Sequence, residues 1–103
     1  MVYSVITSHR AKQDMKEIGR YIAEELQSPQ SARNLLESFE REINELNQMP
    51  KRFAYVSDEN LARKGIRWLP VKNYSIFYNV DEDTKTVTVI RVYYARRDWA
   101  NLL

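Results

Sequence analysis

A chain of 103 residues is long enough for one ordinary domain and too short for two. At this length a single core, burying roughly 60–70% of the unfolded surface, holds a fold without covalent staples. The absence of cysteine and the single histidine exclude disulfides, thiolate metal sites, Cys–His nucleophile pairs and multi-histidine metal centres. The formal net charge is +2, unevenly spread: residues 1–50 hold six Lys/Arg against eight Asp/Glu, and residues 51–103 hold ten against six. The C-terminal half, at +4 against −2, is the expected face for an acidic or polyanionic partner.

Met1 to Thr7 lacks a basic leader, and its apolar residues alternate before meeting His9-Arg10, unlike a signal peptide. No apolar run approaches the ~18 residues that span a bilayer. The expectation is a soluble, cytoplasmic protein formed by one domain over residues 1–103, without repeats or low-complexity linkers.

Tyr3–Thr7 alternates and is β-branched, which predicts a short strand. Thr7-Ser8 offers capping hydroxyls for a helix over about residues 9–27, with Ala11, Met15, Ile18, Ile22 and Leu26 as its buried stripe. Ser28-Pro29 pairs a capping serine with proline at the first helical position and opens a second helix. Its stripe is Ala32, Leu35, Leu36, Phe39, Ile43 and Leu46, and Met49-Pro50 ends it. Residues 51–64 show no period and predict a connection with one short helical turn. After Gly65 the period becomes two. Ile66–Val71 is a strand that Pro70 assigns to an edge, Tyr74–Val80 a second, Asp81–Thr84 a polar turn, and Thr86–Tyr94 a third. The tail from Arg96 to Leu103 predicts a terminal turn or short helix. The order β-α-α-β-β-β predicts an α+β two-layer sandwich, an α-hairpin packed on a small, mostly antiparallel sheet.

Few residues suggest chemistry. Two glycines, Gly19 and Gly65, cannot build a phosphate loop. His9 has no paired base and reads as a surface residue. Asp81-Glu82-Asp83 suits a strand turn and lacks the glycine of a calcium loop. Trp68, Tyr74, Phe77 and Tyr78 read mostly as core aromatics. The stretch Arg91-Val92-Tyr93-Tyr94-Ala95-Arg96-Arg97-Asp98-Trp99 is different, because it gathers three arginines and three aromatics. Strand alternation puts Arg91 and Tyr93 on one face, Val92 and Tyr94 on the other. That mixture suits stacking, phosphate contact or a protein interface, and equally suits surface charges beside a packed Trp99.

Several of these segments resemble the RelE/ParE toxin superfamily, and the ParE branch in particular. The likeness starts at Tyr3-Ser4-Val5 with Ala11, Asp14, Ile18 and Tyr21-Ile22, and continues through Ala32, Leu35-Leu36, Ile43, Leu46 and Met49-Pro50. It is stronger in Gly65–Val71, Asn73–Val80, Val89–Tyr93 and Arg96-Arg97-Asp98. Each element is degenerate; their order and spacing carry the likeness. The resemblance implies the toxin of a type II toxin–antitoxin, plasmid-stabilisation-type system, with a ParD/RelB-like antitoxin as partner, operator DNA reached only through that antitoxin, and no cofactor. ParE-like members poison DNA gyrase without catalysis, whereas RelE-like members cleave mRNA on the ribosome. Those nucleases carry Tyr-Arg-x-x-Tyr in the penultimate strand, where this chain has Tyr74-Ser75-Ile76-Phe77-Tyr78, and a basic residue after the last strand, where Ala95 stands. The resemblance therefore favours gyrase binding, with Arg91, Tyr93, Arg96, Arg97 and Trp99 as the contact set. The alternatives are an mRNA endoribonuclease using Arg67, Arg91, Arg96 and Tyr93 or Tyr94, and a degenerate toxin that binds only antitoxin.

Overall fold

The computed structural model describes residues 2–95 and 103, so the tail expected beyond Arg96 lies outside them. Its strands are β1 (Ser4–Thr7), β2 (Arg67–Val71), β3 (Tyr74–Asp81) and β4 (Thr86–Tyr94). They form one mixed sheet in the order β1-β4-β3-β2. β1 runs parallel to β4, and the other pairings are antiparallel. Helices α1 (His9–Arg20) and α2 (Pro29–Asn44) cover one face, giving the α+β arrangement expected. None of the described helices is long and apolar enough to cross a membrane.

The main core lies between that hairpin and the sheet, where Phe39, Leu46, Leu69, Ile76, Tyr78, Val87, Val89 and Val92 lose nearly all contact with water. Burying side chains of this size contributes about 1.5–3 kcal/mol each. Tyr78 keeps its hydroxyl satisfied at this depth by donating to the Pro50 carbonyl at 2.5 Å. Burial pushes that phenol up to about 12, against the opposing pull of Arg67 and Arg52.

Several details depart from the periodicities. α1 stops at Arg20, and Tyr21–Glu25 forms a wider π-helical turn. The wider turn carries Leu26 out of the buried stripe, and it is 57% exposed. Ser28 does not cap α2 through its side chain; its hydroxyl pairs with that of Ser31 at 2.6 Å, while Pro29 still opens the helix. α2 runs out through a 3₁₀ turn at Glu45–Asn47, after which Met49 adopts a left-handed conformation and Pro50–Arg52 makes another 3₁₀ turn. At Gly19 the missing side chain lets Leu36 of α2 seat directly on α1, since a Cβ there would stand 2.9 Å from Leu36 Cδ1.

The second face of the sheet is covered too, which the sequence did not announce. α3 (Glu59–Arg63) and its flanks bring Val56, Leu61 and Ile66 over Phe77 and Tyr93. Residues 54–56 also pair with the outer edge of β2 through Trp68 N–H to Ala54 O and Val56 N–H to Ile66 O. Two residues beyond Trp68, Pro70 occupies the next outward-facing amide position, so no ladder bond is lost and the remaining edge presents one donor fewer. Trp68 itself is half-exposed, unlike the buried Phe77 and Tyr78.

A polar clasp closes the opposite end of the sheet. Glu82, in the β3–β4 turn, accepts from Tyr3 at 2.9 Å, Lys51 at 2.6 Å and Lys85 at 2.7 Å. The Asp81 carboxylate accepts the Asp83 and Thr84 amides, so the acidic run shapes the turn as its composition suggested. No cluster of metal-ligating side chains occurs among the described residues.

Candidate functional site

The site is built where two edges stop matching. β1 pairs with β4 only as far as Thr7 opposite Val89, leaving the last residues of β4 with an open edge. α1 supplies the missing partners. Ser8 N–H donates to Val89 O at 2.9 Å, and the Ser8 hydroxyl donates to Ile90 O at 2.8 Å while accepting from Ala11 N–H to cap the helix. One turn further, the Asp14 carboxylate accepts from Val92 N–H at 2.9 Å and from Arg91 Nε and Nη2 at 2.8 and 2.9 Å. These contacts clamp the first half of α1 onto β4.

Past Asp14 the helix and strand diverge, and a groove of about 810 Å³ opens between them. Ile18, Ile22, Leu35 and Val92 provide its apolar lining, while Tyr21, Leu26 and Tyr94 stand at its mouth, 54%, 57% and 40% exposed. Tyr74 sits between, edge-on to Phe39 at 5.7 Å and to Tyr94 at 5.6 Å. Burial raises the Tyr74 phenol above its ordinary value, with the neighbouring Tyr94 and Tyr21 adding to the shift. Glu17 and Lys72 are charged groups at the rim. Such a surface, apolar with phenols at its edge, suits a polypeptide's side chains.

The residues expected to act fall in different surroundings. Alternation holds for Val92 and Tyr93, which enter the main and second cores respectively. It fails at Arg91. A bulge pairs Phe77 with Arg91 but Tyr78 with Val89, so Ile90 is extra and Arg91 is swung toward α1. Its guanidinium, 17% exposed, is committed to Asp14 and lies 4.6 Å from the Tyr93 ring centroid. Hydrogen bonding to Asp14 raises the Arg91 pKa further above its ordinary value. Tyr93 is 3% exposed. Neither is therefore an open surface anchor, contrary to what the strand pattern suggested. Arg96, Arg97 and Trp99 lie outside the described residues.

The alternative nuclease set is not assembled either. Arg67 lies two strands from Arg91, donates to the carbonyls of Lys51 and Phe53, and stacks 4.0 Å from the Tyr55 ring centroid. Ser75 is buried opposite Tyr93, and Ala95 carries no charge. The structure thus brings no two of the described candidate arginines together around an open pocket. What sequence reasoning missed are the residues at the mouth of the groove, whose signals were Tyr21 and Leu26 in the helical pattern and Tyr94 beside Tyr93.

Comparison with known proteins agrees with this architecture. A chain of the chromosomal ParDE TA system from P. aeruginosa superposes with a TM-score of 0.75 at 18% identity, covering 92% of this chain and 98% of that one. The RelBE2 toxin–antitoxin complex of Mycobacterium tuberculosis gives 0.65 at 18% identity over 91% and 99% of the two chains. A doubly substituted E. coli RelE toxin in its free state gives 0.69 at 16% identity over 99% and 93%. At these identities the likeness is one of fold. No curated protein matches the sequence. The model of the ParE toxin of the type II toxin–antitoxin system parDE matches residues 5–99, and the chain belongs to that toxin family.

Proposed function

We propose that this toxin acts by gripping DNA gyrase and trapping it on cleaved DNA, and that a cognate antitoxin silences it by filling the groove between α1 and β4. The observation that carries the reading is the pairing of an open, tyrosine-rimmed apolar groove with arginines spent on internal contacts. Phosphodiester cleavage needs unspent cations around the scissile phosphate and a group to move the 2′-hydroxyl proton. Arg91 bound to Asp14 and Arg67 bound to backbone carbonyls offer neither. The antitoxin segment we envisage is extended or helical, with one apolar face against Ile18, Ile22 and Leu26. Target contact is assigned to the C-terminal segment: Arg96, Arg97 and Trp99 touch gyrase, while Arg91 and Tyr93 set where that segment leaves the sheet. The fold family and the absence of a membrane-crossing helix among the described residues suit action in the cytoplasm.

The test is a pair of assays on one purified sample. Stoichiometric toxin should abolish supercoiling by gyrase and leave messages intact in a translating extract. Unimpaired supercoiling, with truncated messages that disappear for Arg96→Ala, selects the ribosome instead. Indifference in both assays selects the degenerate toxin.

A further inference from the structure

α1 sorts its charges by face. Asp14 and Glu17 point toward the groove, and Asp14 is consumed by Arg91. On the outward side His9, Lys12, Gln13, Lys16 and Arg20 are all exposed, with the exposed Glu17 at the margin toward the groove and Glu24 one turn beyond Arg20. Among the described residues none offers Lys12, Lys16 or Arg20 a hydrogen bond or an ion pair. These three stand at i, i+4 and i+8, where like charges repel along one row of a helix. Along α2 and its C-cap, by contrast, Glu37, Arg41 and Glu45 alternate in sign in an exposed row. A row of one sign costs helix stability in the free protein, and a polyanion laid along it removes that cost.

We infer that the outward face of α1 binds the phosphate backbone of duplex DNA through Lys12, Lys16 and Arg20. Two features select this occupant over other anions. An acidic polypeptide docks on apolar or aromatic anchors, and every exposed large hydrophobic residue of the described chain lies elsewhere, the nearest being Tyr21 at the groove. Single-stranded nucleic acid is held by stacking on aromatic rings, and this face has none. Backbone binding to a duplex needs neither. The geometry also fits: the row advances about 6 Å per step, four residues at ~1.5 Å each, close to the ~6.8 Å that two phosphates of one strand occupy along the duplex axis. Because the row faces away from the groove, antitoxin seated there leaves it accessible. Toxin in the neutralised complex then adds its own non-specific grip on DNA. The binding needs no gyrase, so it stands or falls separately from the poisoning reading.

The experiment is fluorescence anisotropy of a labelled 20-bp duplex titrated with the purified chain between 50 and 200 mM salt. Three neutralised phosphates predict a log–log slope of about −2.7, a loss of affinity of about 40-fold across that range. Lys12→Gln/Lys16→Gln/Arg20→Gln should abolish most of the binding with its circular dichroism unchanged and its melting temperature no lower than the parent's. Arg33→Gln/Arg41→Gln/Arg63→Gln, removing the same charge elsewhere, should bind nearly as the parent does. Equal losses in the two triples, or no salt-dependent binding by the parent, overturn the proposal. Tighter binding to single-stranded than to duplex DNA overturns it too. So does an α1 triple that loses antitoxin while keeping DNA.

Discussion

Asp14 is the residue on which the most geometry converges. Its carboxylate holds the Arg91 guanidinium and the Val92 amide, 77 and 78 positions away, at the point where α1 takes over the edge of β4 from β1. Asp14→Ala leaves a largely buried cation and a buried amide without an acceptor and should cost about 3–5 kcal/mol in urea unfolding. Asp14→Asn keeps one oxygen for one donor and should cost less. Ser8→Ala removes both the α1 cap and the bond to Ile90 O, and should cost about 1–2 kcal/mol. Glu82 makes a prediction in pH. Hydrogen bonds from Lys51, then Lys85 and Tyr3, hold its carboxyl down to about 2 from 4.5. A depressed folded pKa gives stability that is whole above 4.5 and fades as pH falls toward 2. The stability gap between the parent and Glu82→Gln should therefore narrow steadily over that window and vanish below it. A gap independent of pH would contradict the clasp. None of these partners was legible in sequence, because a side chain's donor lies tens of residues away and no periodicity encodes it. Asp14 stood out only as part of a family likeness.

At the scale of elements, the strands and both helices were legible because each buries one continuous apolar face. Thr86–Tyr94 was read to the residue, since Val87 and Val89 alternate with Thr86 and Thr88. Three features were not legible. A bulge at Phe77/Tyr78 inserts Ile90 and shifts the alternation by one, so that Val92 and not Arg91 follows Val87 and Val89 into the main core, while Arg91 lies beside the buried Tyr93. The π-helical turn at Tyr21–Glu25 leaves hydrophobic spacing nearly helical while turning Leu26 outward. The cover of Val56, Leu61 and Ile66 over the second face has too few residues for a period to emerge. The first two lie in the segments that line the groove. Leu26→Glu and Tyr21→Asp, both on exposed positions, should leave the melting temperature within a few degrees of the parent. Each should weaken capture by antitoxin at least tenfold, measured by calorimetric titration with the product of the reading frame beside the toxin gene. Unchanged affinity in both variants would place the antitoxin elsewhere.

For the molecule as a whole, the fold divides its work between ends and faces. The clasp around Glu82 closes one end of the sheet, the groove opens near the other, and the basic row of α1 faces away from that groove. Under the proposed reading, the toxin is a wedge that holds its target in one state. The direct measurement is the yield of linear DNA released by protein denaturation after purified toxin, gyrase, ATP and relaxed plasmid are incubated together. Gripping predicts linear product that rises to a plateau at one toxin per gyrase and requires ATP. No linear product at any toxin ratio, with supercoiling unimpaired, would contradict it.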